Sequence, residues 1–139
     1  MKKRCLSILG LGCAALVMTG CGSSNKLVCT QDLSSEFGDY GKGEERLEIT
    51  FNSDGTQIES ATTYIDVEIT KDEMLNMVDL FKSTLESNCS KDSQFSSCDV
   101  KTTKNTVSME ADMVIPEDEK EATIDETRED IESSGFTCK

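Results

Sequence analysis

Seven cysteines (Cys5, Cys13, Cys21, Cys29, Cys89, Cys98 and Cys138) are the residues best equipped for chemistry in this 139-residue chain. A thiol can be a nucleophile, a redox centre, a metal ligand or half of a disulfide, and spacing separates these roles. A redox centre would want Cys-x-x-Cys and a structural zinc site two such pairs; neither spacing occurs. The chain has no histidine, which removes the Ser/His/Asp and Cys/His nucleophile systems and the commonest zinc ligand. Carboxylates are abundant, with 27 Asp and Glu against 14 Lys and Arg, and paired acids alone can cleave glycosides. Such an enzyme also needs an aromatic platform for the sugar, and the chain has two Tyr and no Trp. Asn52, Asp54 and Glu59 invite a calcium reading, but the EF-hand spacing demands an acid where Thr50 stands. No catalytic constellation, metal or cofactor is therefore expected. A formal net charge of −13 also argues against nucleic-acid binding, which needs clustered basic residues to displace counterions.

The first residues read as an address. Met1-Lys2-Lys3-Arg4 is a positive n-region, and residues 6 to 18 form an apolar run shorter than the ~20 residues that span a bilayer. Met18-Thr19-Gly20-Cys21 follows and resembles the lipobox of bacterial lipoprotein signal peptides. That resemblance implies diacylglycerol on the Cys21 thiol, cleavage just before it, and a mature chain held on a membrane by its acyl chains. Each buried methylene contributes ~0.8 kcal/mol, and stable anchoring takes more than one chain. The expected organisation is a signal peptide over 1–20, the lipidated cysteine with a flexible tether over 21–25, and one domain over 26–139. Removing Lys2, Lys3 and Arg4 leaves 11 basic against 27 acidic side chains, a net charge of −16. The acids are spread along the chain, as suits solubility, with a local excess between Glu117 and Glu132.

Cys5 and Cys13 leave with the signal and Cys21 becomes the anchor. Cys29, Cys89, Cys98 and Cys138 remain, and an even number in an exported domain suggests two disulfides with three possible connectivities. The pairing of Cys29 with Cys138 and Cys89 with Cys98 is favoured, because it ties the domain's two ends and closes a polar loop from Ser90 to Ser97.

The elements expected to carry these residues are strands and helices in alternation. Lys26 to Gln31 reads as a short strand and the glycine-bearing stretch Asp32 to Gly43 as a loop. Glu45 to Asn52 alternates through Leu47, Ile49 and Phe51, and Asp54-Gly55 marks a hairpin. Gln57 to Thr70 changes its apolar phase, which predicts a bulge near Ala61 to Thr63. Thr70 with Glu73 spells a capping box for a helix through about Ser87, with Met74, Met77, Val78, Phe81 and Leu85 on its core face. A second hairpin turns at Lys104-Asn105 and sets Val100 opposite Met109. Pro116 then reads as the first residue of a helix running to Ser134, with Gly135 ending it and Phe136 folding back. Two strand–strand–helix units with both helices on one face of an antiparallel sheet, plus a short N-terminal strand, make a two-layer α+β domain.

The lipobox, the glycine-bearing hairpin, the capped helix, the second hairpin and the terminal Gly135-Phe136 together resemble the YehR-like group of small bacterial lipoproteins. The resemblance spans about Lys26 to Lys139 and brings no catalytic or binding residues. The functional expectation is a membrane-anchored acidic envelope lipoprotein with a non-enzymatic binding or accessory role. The alternative is an inhibitor or sequestering module for a cationic envelope hydrolase such as lysozyme, because opposite charge speeds encounter.

Overall fold

The computed structural model describes residues 25–91 and 94–139. The elements run β1 (Lys26–Asp32), α1 (Ser34–Phe37), β2 (Gly41–Phe51), β3 (Ile58–Ile69), α2 (Met77–Lys91), β4 (Phe95–Thr102), β5 (Thr106–Met113), α3 (Ile124–Ser133) and β6 (Thr137–Cys138). Six strands form one antiparallel sheet in the order β4-β5-β3-β2-β1-β6, so the domain is α+β.

Strand periodicity explains which side chains are buried. Successive residues of a strand point to opposite faces, and directly paired residues share a face. Leu27 and Cys29 pair with Ile49 and Leu47, which pair in turn with Ala61 and Thr63. Val67 and Ile65 pair with Val107 and Met109, and Val100 lies opposite Met109 as its spacing predicts. Most of the buried apolar strand residues fall into two apolar clusters. Around Leu27, Leu47, Ile49 and Phe51 the first cluster includes Ile131 of α3 and Phe136. In the second, Val67, Ile69 and Val107 meet Val78 of α2, flanked by Met77, Phe81 and Leu85. Of the methionine-bearing stripe, Val78 is buried, while Met74, Met77, Phe81 and Leu85 are half-buried against it.

Four details differ from the sequence reading, each for a physical reason. Asp32 to Gly43 is not a loop throughout: α1 and a 3-10 turn at Gly38–Tyr40 fill its middle, and β2 already begins at Gly41. The phase change in β3 lies at Glu59, two residues before Ala61, because Thr50 pairs with Ser60 while Phe51 pairs with Ile58. Thr70 caps nothing. A 3-10 turn at Asp72–Met74 precedes α2, which starts at Met77 and continues to Lys91. Pro116 lies in a turn-rich connection, and α3 begins eight residues later, where Thr123 and Glu126 form a complete capping box. The Thr123 hydroxyl accepts from the Glu126 amide at 3.3 Å, and the Glu126 carboxylate accepts from the Thr123 amide at 3.1 Å. Gly135 ends this helix at φ 99°, a conformation that favours glycine, and so turns Phe136 into the core.

The sequence reading had no strand after α3. Thr137–Cys138 nonetheless adds β6 to the sheet edge, with Lys139 and Val28 exchanging both backbone hydrogen bonds at 3.1 and 2.8 Å. This leaves Cys29 and Cys138 as the adjacent, directly opposed pair.

Candidate functional site

The four described cysteines are joined as Cys29–Cys138 and Cys89–Cys98. The first bridge links β1 to β6 inside the apolar cluster, with Cys29 fully buried. The second links the last turns of α2 to β4, beside Ser90 and Phe95. Both are staples between elements. Cys21, the expected lipidation site, lies outside the described residues, as do Cys5 and Cys13. Among the described residues no group of three or more Cys, Asp or Glu converges as a metal site.

A polar seam crosses the core face between the two apolar clusters. Gln31, Glu45 and Thr63 are all buried there, with Gln31 and Ile65 directly opposite Glu45 on its two neighbouring strands. Glu45 is only 6% exposed. Loss of water raises its pKa from 4.5 to about 7, with the Thr63 hydroxyl working weakly the other way. The sequence reading missed this residue, because Glu45 occupies an inward position of an alternating strand without any apolar character. Its odd number, in phase with Leu47, Ile49 and Phe51, was the available signal.

The end of the sheet where β1 finishes and β2 begins carries two adjoining depressions. On the core side, an apolar cleft of about 340 Å³ is lined by Leu33, Phe37, Tyr40, Ile69, Met77 and Phe81. Phe37 and Leu33 take these positions because Gly43 lacks a side chain: a Cβ there would lie 2.6 Å from the Phe37 ring and 3.0 Å from Leu33. Phe37 therefore packs against the backbone of β2 and meets Phe81 edge to face, with ring centroids 5.3 Å apart. Tyr40 forms the outer lip at 49% exposure, and the Lys71 ammonium stands over its ring at 5.4 Å.

On the opposite side of the sheet, an open groove of about 440 Å³ is lined by Asp32, Lys42, Glu44, Asp66, Glu68 and Thr106. Four carboxylates thus surround one ammonium. The Ser34 hydroxyl and amide hold Asp32 below the usual carboxylate range, the amide donating at 2.7 Å. The wall between cleft and groove is the segment Asp32-Leu33-Ser34. Leu33 faces the cleft while Asp32 and Ser34 face the groove. This wall is fixed to β2 by Leu33 donating to the Gly43 carbonyl at 2.7 Å and by the Gly43 amide donating to the Ser34 hydroxyl at 3.3 Å.

Elsewhere the face of the sheet opposite the apolar clusters is polar and internally paired. Arg46 stacks over Tyr64 at 4.4 Å and Lys26 pairs with Glu48 at 2.5 Å. Asp112 accepts from Ser97 and Thr62, each at 2.8 Å, which lowers its pKa. No protein-family model, curated protein or solved structure matches the chain.

Proposed function

We propose that the chain is a lipid-anchored, acidic binding module of the bacterial envelope, tethered through Cys21 and acting without covalent chemistry on its partner. The observation that carries this reading is the pair of disulfides in the folded domain, joined to the lipobox-like Met18-Thr19-Gly20-Cys21. Structural disulfides form and persist in oxidising compartments, which fits a domain exported behind a secretory signal. The two staples also suit a small domain whose core consists of two modest clusters.

Helices α2 and α3 are inferred to cover one face of the sheet, since the strand residues in the two clusters lie in one alternating phase. The other face is then free for a partner. A second reading, that this partner is a cationic envelope hydrolase such as lysozyme, is favoured by the charge of −16 left after cleavage. Passing lysozyme over the immobilised mature chain at low and moderate salt tests it. Retention at low salt that is lost on adding salt supports the reading, and no retention at low salt refutes it.

A further inference from the structure

The apolar cleft and the acidic groove lie on opposite faces of the sheet at the same end, and they adjoin at the segment Asp32-Leu33-Ser34. β1 starts at Lys26, opposite Thr50, and ends at Asp32, opposite Glu44, beside that wall. Seven strand residues at ~3.3 Å each separate the tether from the wall by about 20 Å. A chain anchored at Cys21 would thus hold cleft and groove at the pole farther from its anchor. An occupant that engages both wraps this end of the sheet and offers a bulky apolar group to one face and positive charge to the other. The cleft is wide enough for an aromatic or branched side chain, and its Met and Phe lining adapts to shape. Asp32, Glu44, Asp66 and Glu68 outnumber the one Lys42 in the groove, and Glu36 adds a further acid at the cleft. A free fatty acid or an acidic peptide would meet the wrong charge, and a fully polar polycation would leave the cleft unused.

We propose that this pole docks a cationic, amphipathic segment of a partner protein, with an apolar side chain seated between Leu33, Tyr40 and Phe81 and basic side chains lying along Glu44 and Glu68. The proposal rests on reading the chain as a binding module and specifies the site and chemistry of its partner.

The test uses the mature lipidated chain in zwitterionic nanodiscs, with empty nanodiscs as reference. The probe is a short fluorescein-labelled peptide in which lysines surround one phenylalanine. The peptide should bind, and replacing its phenylalanine by alanine, or its lysines by glutamine, should weaken binding about tenfold or more. Tyr40→Asp, and separately Glu44→Lys with Glu68→Lys, should weaken it by a similar factor. Glu117→Lys with Asp118→Lys makes the same charge change beside Lys120, whose carbonyl accepts from Ile58 at the opposite end of β3, and should leave affinity within about twofold. No binding by the unaltered chain overturns the proposal, as does an equal loss in this control or an indifference to the peptide's phenylalanine. Lysozyme retained equally by all these variants would overturn the docking site while leaving the cationic-partner reading intact.

Discussion

Replacing Glu45 by glutamine should flatten the pH dependence of stability. The carboxyl is protonated in both folded and unfolded chains below about pH 4.5, so it contributes no difference there. Above that value the unfolded chain ionises freely, while the folded chain keeps its proton until about pH 7 because burial between Gln31 and Ile65 disfavours the charge. A folded-state pKa raised in this way contributes stability that is present at low pH and lost as pH rises through the folded value. The interval from 4.5 to about 7, at ~1.36 kcal/mol per pH unit, amounts to about 3 kcal/mol. Glutamine resembles the protonated acid in size and hydrogen bonding and does not ionise. Urea unfolding with disulfides intact, run from pH 4.5 to 8.5, should show variant and parent nearly equal at the acid end. At the alkaline end the variant should be more stable by about 3 kcal/mol. The other carboxylates titrate in both proteins and cancel in the difference. A stability difference that stays constant across this range would refute the assignment of Glu45 as a buried, proton-retaining acid.

The two disulfides should differ in what they contribute. Removing Cys29–Cys138, which closes 109 residues, should cost about 5 kcal/mol on chain-entropy grounds, and removing Cys89–Cys98, which closes nine, about 2.5 kcal/mol. Denaturant midpoints of the two double-serine variants check the order. Thr123→Ala should lower stability by about 1 kcal/mol through loss of the capping box, while Thr70→Ala should stay within about 0.5 kcal/mol. Gly43→Ala should cost ~1–3 kcal/mol by pushing Phe37 off β2, and should also change the near-ultraviolet circular dichroism of the cleft's aromatic rings.

What the sequence made legible followed from periodicity. The alternation Leu47-Ile49-Phe51 located a central strand, since a strand buried on one face repeats every second residue, and the turn at Lys104-Asn105 set the facing of Val100 and Met109. What it concealed depended on contacts distant in sequence. Gly41 and Gly43 look like loop residues until Phe37 is seen lying against the bare backbone of β2. Two capping-box patterns were present, and Thr70 with Glu73 scored as well by spacing as Thr123 with Glu126. Only the packing of the following residues chose between them, because the chain after Thr70 first tightens into a 3-10 turn to bring Met74 and Leu75 onto the second cluster. Glu45 was signalled only by its phase with Leu47, Ile49 and Phe51, and its acidic side chain argued the other way. The cleft and groove were hidden for a related reason: the groove draws on β1, β2, β3 and β5 together, and the cleft on α1, β3 and α2.

The central claim is that an exported, disulfide-stapled domain is anchored through Cys21. Mass spectrometry of the mature protein from its native host, before and after reduction, tests it most directly. An acylated Cys21 is expected as the first residue, with peptides joined only as Cys29 with Cys138 and Cys89 with Cys98 until the bridges are reduced. A mature chain beginning elsewhere, or an unmodified Cys21 thiol, would contradict it.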